Sequence, residues 1–74
     1  MTKSIGMKHK KFGIRIKELR RKQSMSQEEL AFKVGVDRSY MGFVERGERN
    51  PTLDKILKIA KSLDIMLSEL FKDI

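Results

Sequence analysis

The side chains of this chain that could do chemistry do not assemble a catalytic set. There is no cysteine, and the single histidine, His9, has no carboxylate spaced to pair with it. Neither a glycine-rich phosphate loop nor a zinc-ligand pattern is present. These absences predict a protein that is not an enzyme and uses no metal or cofactor. The chemistry that is present is non-covalent, and it gathers in Asp37–Asn50, "DRSYMGFVERGERN". At about 100° per residue, Arg38, Ser39, Gly42, Phe43 and Arg46 fall on one arc of a helix. Tyr40, Met41, Val44 and Glu45 fall on the opposite arc, with Met41 and Val44 as core anchors. The first arc carries hydrogen-bonding groups, a bare backbone and one aromatic. A packed core does not want that set, whereas the major groove of DNA does.

Each residue of the outer arc then has a physical role. Arg38 lies at the helix start, the part of a recognition helix that reaches base edges. Its planar fork can bond guanine O6 and N7 together, worth about 1–3 kcal/mol of discrimination. Ser39 can bond a base or a phosphate, Gly42 spares room where the helix enters the groove, and Phe43 can pack on a thymine methyl. These four are the expected base contacts. Arg46, Arg49 and Asn50 lie toward the following loop, in reach of phosphates. Gln27 sits in the first turn of the preceding helix, with its amide and the helix N-terminus aimed at a phosphate.

The same stretch breaks two helix rules. Gly42 costs about 1 kcal/mol relative to alanine in a helix interior. Glu45 lies on the inner arc, where an unpaired charge is expensive. Its expected partner is Arg20, which follows Ile16 and Leu19 on the edge of the first helix's core face. An Arg20–Glu45 pair would tie that helix to the one carrying the outer arc.

The elements that position these residues read as helix after helix. The chain has 74 residues, enough for one domain, and a formal charge of +7. A chain this short buries about 60% of its unfolded surface, so its stability is marginal. Without cysteine no disulfide can help, which fits a reducing, cytoplasmic compartment and leaves association as the obvious aid. The basic excess lies early: Lys3, Lys8, Lys10, Lys11, Arg15, Lys17, Arg20, Arg21 and Lys22 are opposed only by Glu18. That field suits nucleic acid or an anionic membrane surface. No apolar run approaches a membrane span, and the basic N-terminus leads into no signal-peptide core.

Residues 1–8 show no periodicity and are expected to be a mobile basic arm, with the folded domain over 9–74. Phe12, Ile16 and Leu19 define the first helix, ending near Gln23. Ser26 and Glu29 form a capping box, with Met25 and Leu30 as its hydrophobic staple. That second helix ends at Gly35, and Asp37 caps the next after a turn of the helix-turn-helix kind. The third helix stops at Gly47. Thr52 caps the fourth, for which Leu53, Leu57, Ala60 and Leu63 form the expected buried stripe beside Ile56. A last turn or two carries Leu70 and Phe71. The expected fold is all-α, five helices around one core.

"SQEELAFKVGVDRSYMGFVERGERNPTLDKILKIAKSLDI" closely resembles the lambda-repressor-like helix-turn-helix family of the XRE or Cro type. The resemblance covers about Phe12 to Phe71. It rests on Gln27 with "ELA", Gly35, "VERG" at Val44–Gly47, and "NPTLDKILKIAK". The family's arginine–glutamate pair falls on Arg20 and Glu45. Within the family, "DRSY" followed by "VERGERN" looks most like the controller proteins of restriction–modification systems. That resemblance implies a bacterial or phage-encoded homodimer on a palindromic operator, timing expression of a restriction endonuclease. An activator of this kind would also touch RNA polymerase. The resemblance implies DNA contacts at Arg38, Ser39, Tyr40 and Arg49. Tyr40 therefore has two readings, core by helix geometry and DNA backbone by resemblance. Two departures stand out: Met66 occupies a position that is usually a small polar cap or proline, and Phe43 is bulkier than usual.

Family members dimerise through the C-terminal region, which makes Ile65, Met66, Leu67 and Phe71 the interface candidates; their alternative place is the intramolecular core. Phage-type repressors and antitoxins share most of the pattern and form the alternative function. A membrane-surface role for the first helix conflicts with the core's need for its apolar stripe.

Overall fold

The helix boundaries follow from local signals in the chain. The computed structural model describes the backbone of residues 2–74 and the side chains of residues 6–74. The described residues form five helices and no strand: α1 (Thr2–Lys22), α2 (Gln27–Val34), α3 (Arg38–Glu45), α4 (Leu53–Ser62) and α5 (Leu67–Leu70). Ser26 Oγ accepts from Glu29 N at 3.0 Å, and the Glu29 carboxylate accepts from Ser26 N at 2.8 Å. The bonds from the Ser26 backbone and then its hydroxyl hold the Glu29 carboxyl below its ordinary value. Met25 and Leu30 are both buried under this start. Gly35 ends α2 at φ +87°, its N–H donating to Ala31 O at 2.9 Å, a left-handed position that glycine takes without a Cβ penalty. Asp37 Oδ1 accepts from Tyr40 N at 2.7 Å and starts α3. Thr52 Oγ1 does the same for α4, from Lys55 N at 3.3 Å. Met66 starts α5 with no side-chain cap.

Three features go beyond the sequence expectation. The first concerns residues 2–8, expected as a mobile arm from their lack of periodicity; they are helical and continue α1. Met1 lies outside the described residues. No proline interrupts the chain between Thr2 and Phe12, and the helix continues through Ser4 and Gly6. Twenty-one residues at about 1.5 Å each give about 31 Å, close to the 34 Å long axis of the molecule.

The second is the stripe of α4. Ile59, Ala60 and Leu63 are buried and Ile56 packs against them, while Leu53 and Leu57 stand 67% and 45% exposed. The apolar residues of α4 cover about 160° of arc at about 100° per residue. Only the Ile56–Ile59–Leu63 side of that arc meets the other helices. The third concerns the C-terminal residues. Ile65 packs against the core, and the Phe71 ring stacks on Phe12 with centroids 5.1 Å apart. Of the expected interface residues, Met66, Phe71 and Leu67 stand 75%, 41% and 38% exposed.

The core itself unites all five helices. Ile16, Leu30, Val34, Met41, Val44, Ile59, Leu63 and Leu70 are fully buried. Arg15 fastens α5 from outside: its Nε and an η-nitrogen donate to Glu69 O at 3.0 and 2.9 Å. Charge patterning had placed Arg15 in a basic run, and nothing in its sequence neighbourhood announces a partner 54 residues away.

Candidate nucleic-acid interface

The outer arc of α3 is fixed from beneath by a buried ion pair. Arg20 Nε donates to Glu45 Oε2 at 2.7 Å, and Arg20 Nη2 to Glu45 Oε1 at 3.0 Å. Arg20 Nη1 donates to Met25 O at 2.8 Å, so the guanidinium is spent on α3 and on the turn before α2. Gln27 Nε2 adds a third donor to Glu45, at 3.1 Å. One carboxylate thereby sets the relative placement of α1, α2 and α3. No buried side-chain nitrogen or oxygen among the described residues lacks a partner. The carboxylate that seems misplaced on a helical wheel is therefore compatible with the core.

Gln27 is turned toward Glu45 rather than standing free at a helix start. Its amide lies over Gly42, which gives the glycine a neighbour from another helix. Gly42 lies on the outer arc, buried there beneath neighbouring side chains. A Cβ there would lie 3.2 Å from Arg46 Nη1 and 3.5 Å from Gln27 Oε1. The missing side chain makes room for these two polar side chains, of which a wheel drawn for α3 alone cannot include Gln27.

Gln27, Arg38, Ser39, Gly42, Phe43 and Arg46 line one open concavity on the surface of α2 and α3. Arg38 and Ser39 are exposed at its α3 start. Phe43, 37% exposed, carries the Arg46 guanidinium 5.1 Å from its ring centroid and that of Arg49 at 5.8 Å. The ring therefore seats two cations, a role not foreseen from its type. Arg46 also meets Glu48 at 3.1 Å, an exposed pair of small energetic weight. Arg49 lies over Tyr40 as well, at 5.9 Å. Tyr40 is half-buried and packs against the core, as helix geometry predicts. Asn50 is exposed in the loop before α4.

Two glycines bring α1 close to α3 and the turn after it, and of these the sequence reading gave a role only to Gly47, as the stop of the third helix. A Cβ on Gly13 would lie 2.3 Å from Glu45 O and 2.6 Å from Val44 O, so α1 and α3 touch backbone to backbone. Gly47 has φ +75°, and a Cβ on it would lie 2.8 Å from Lys10 Cα. For Gly13 the available signal was a glycine inside an amphipathic helix, adjoining the Phe12–Ile16 stripe.

Comparison with known proteins gives a consistent result. The helix-turn-helix profile HTH_3 matches residues 16–70. The chain is 45% identical over 65 residues to control protein C.MunI of a Mycoplasma species, covering 86% of this chain and 88% of that protein. It is 43% identical over 60 residues to control protein C.BamHI of Bacillus amyloliquefaciens, covering 80% and 74%. The crystal structure of the restriction–modification controller protein C.AhdI from Aeromonas hydrophila superposes with a TM-score of 0.86 at 55% identity. That superposition covers 89% of this chain and 96% of the other. Among the described residues no helix is long and apolar enough to cross a membrane. The chain belongs to the HTH_3 helix-turn-helix family and is a non-enzymatic, DNA-binding transcriptional regulator similar to restriction–modification controller proteins.

Proposed function

We propose that the protein is itself a controller protein, acting as a homodimer on a palindromic operator and timing expression of a restriction endonuclease. The observation that carries the DNA-reading part is the concavity shared by Gln27, Arg38, Ser39, Phe43 and Arg46, all placed by the buried Glu45 network. Arg38 and Ser39 read base edges. Phe43 offers its free edge to a thymine methyl while steadying Arg46 and Arg49. Gln27, Tyr40, Arg46, Arg49 and Asn50 hold the phosphates on either side. Arg46 leaves its weak pair with Glu48 for a phosphate at little cost.

The dimer forms through the apolar surface that the core leaves uncovered: Leu53 and Leu57 on α4, with Met66 and Leu67 at the start of α5. Two-fold symmetry then sets two α3 helices about 34 Å apart, one turn of DNA. RNA polymerase is the further partner when the bound dimer activates.

Selection from a random duplex library tests this reading. The enriched sites should be palindromes with half-sites one helical turn apart, and should occur ahead of this gene. Neighbouring genes should encode a methyltransferase and an endonuclease. Enrichment of asymmetric sites would overturn the dimer reading, and a toxin or lysogeny gene next door would overturn the controller reading.

A further inference from the structure

We infer that α1 carries a second phosphate-binding edge, made by Lys10, Lys17 and Arg21, which lies against the DNA backbone beside the C-terminal end of α3. The inference rests on the DNA-binding reading above and adds an element to it. At about 100° per residue, these three residues fall within about 40° of one another on α1. The adjoining strip of the helix is the one that touches α3. Gly13 meets the backbone of Val44 and Glu45, and Arg20 grips the Glu45 side chain. Lys10 itself lies across Gly47, where a Cβ would be 2.8 Å from Lys10 Cγ. Glu45 and Gly47 flank Arg46, so the basic edge runs past the point where Arg46 and Arg49 leave the recognition surface.

The charges on this edge are also uncommitted. Lys10, Lys17 and Arg21 are exposed, and none has an acidic partner among the described residues. The other arginines of α1, Arg15 and Arg20, are both engaged by carboxylates. Glu18, the one acid of α1, lies about 60° round the helix from Arg21 and is paired with Arg15, at 3.9 Å. From Lys10 to Arg21 the edge spans about 16 Å. The phosphates of one DNA strand follow at about 3.4 Å along the axis, so the edge has the length of several of them. A patch built this way supplies affinity and orientation without sequence information.

The test is a salt titration of the full-length protein, by fluorescence anisotropy, on two duplexes: one of random sequence, and one enriched from a random library by the wild-type protein. The variant Lys10→Gln/Lys17→Gln/Arg21→Gln is compared with Lys33→Gln/Lys58→Gln/Lys61→Gln. The second variant removes the same charge around the groove between α2 and α4. Each phosphate contact contributes about 0.9 to the slope of log K against log salt, so the α1 variant should flatten the slope by about three units per protomer. Its affinity for both duplexes should fall by tenfold or more, roughly, near physiological salt. The ratio between the two duplexes should stay unchanged, and the α2–α4 variant should keep the wild-type slope.

A wild-type slope for the α1 variant would overturn the inference and leave its edge to an acidic protein partner or to solvent. Equal flattening by both variants would overturn it too, as an effect of net charge alone. Arg38→Ala in the same assay separates the two proposals. If it loses discrimination while the α1 variant binds normally, only the α1 edge is refuted; if the wild type prefers no duplex, the sequence-reading site fails first. Circular dichroism of each variant establishes that it is folded.

Discussion

Glu45 accepts from Arg20 on α1 and from Gln27 on α2 while belonging to α3, so a single carboxylate joins the residues beneath the reading surface. Both charges of the pair are buried, at 9% and 3% side-chain exposure. Removing one partner leaves the other charged and dry, which costs about 3–5 kcal/mol. Arg20→Ala and Glu45→Ala should therefore each lower the urea midpoint sharply. The double variant should be far better than the sum of the two, and additive losses would show that the residues do not act as a unit. On the outer surface the residues divide by what they touch. Arg38→Ala should lose about 1–3 kcal/mol of preference for the selected duplex over random DNA. Arg49→Ala should weaken both alike and reduce the salt slope by about one. Competition binding at several salt concentrations distinguishes the two outcomes. The helical wheel made Arg38 and Ser39 legible, because an exposed arc needs only a period. It put Gly42 on the same arc but could not show that the glycine is covered, because the covering groups are Gln27 on another helix and the Arg46 rotamer.

At the scale of the element, α1 is the helix whose sequence signal was incomplete. Its apolar stripe was evident, yet its close contact with α3 depends on a residue with no side chain. Gly13→Ala would push a Cβ into the backbone carbonyls of Val44 and Glu45, atoms that cannot rotate away. Overpacking of this kind costs about 1–3 kcal/mol, more than the alanine gains in helix propensity. Gly6, by contrast, has nothing within 4 Å of its would-be Cβ. Gly6→Ala should stabilise the protein by up to about 1 kcal/mol. Thermal melts of the two variants should move in opposite directions. A shift in the same direction would mean that α1 and α3 do not approach as closely as their backbones indicate. On α2 and α4 the capping residues fixed the starts from sequence, since a cap and its amide are neighbours in the chain. Which side of α4 is buried was not legible, because its apolar arc is wider than the core requires.

For the whole molecule the surplus apolar surface on α4 and α5 becomes the feature that needs an explanation. Leu53, Leu57, Met66 and Leu67 are exposed in a chain small enough to gain from association. In the proposed dimer, Leu57→Glu places a charge on each side of a self-complementary surface. It should sediment as a monomer at concentrations where the wild type is dimeric. Because Leu57 is exposed in the monomer, far-ultraviolet circular dichroism should be unchanged. The variant should also lose the affinity gained by engaging two half-sites together. A wild-type sedimentation profile for the variant would place the interface elsewhere on the molecule.

The sequence by itself determined the number of helices, most of their limits, the arginine–glutamate pair and the exposed arc of α3. These follow from contacts between residues near in sequence, or from a charge that a core cannot hold alone. Tertiary structure decided the rest. The Gln27 amide turns to Glu45, Gly13 and Gly47 admit α1, Arg15 fastens α5, and Phe71 stacks on Phe12 while Leu53 and Leu57 stay outside. Each of these depends on which surfaces meet when helices distant in sequence pack, and a one-dimensional period does not encode that.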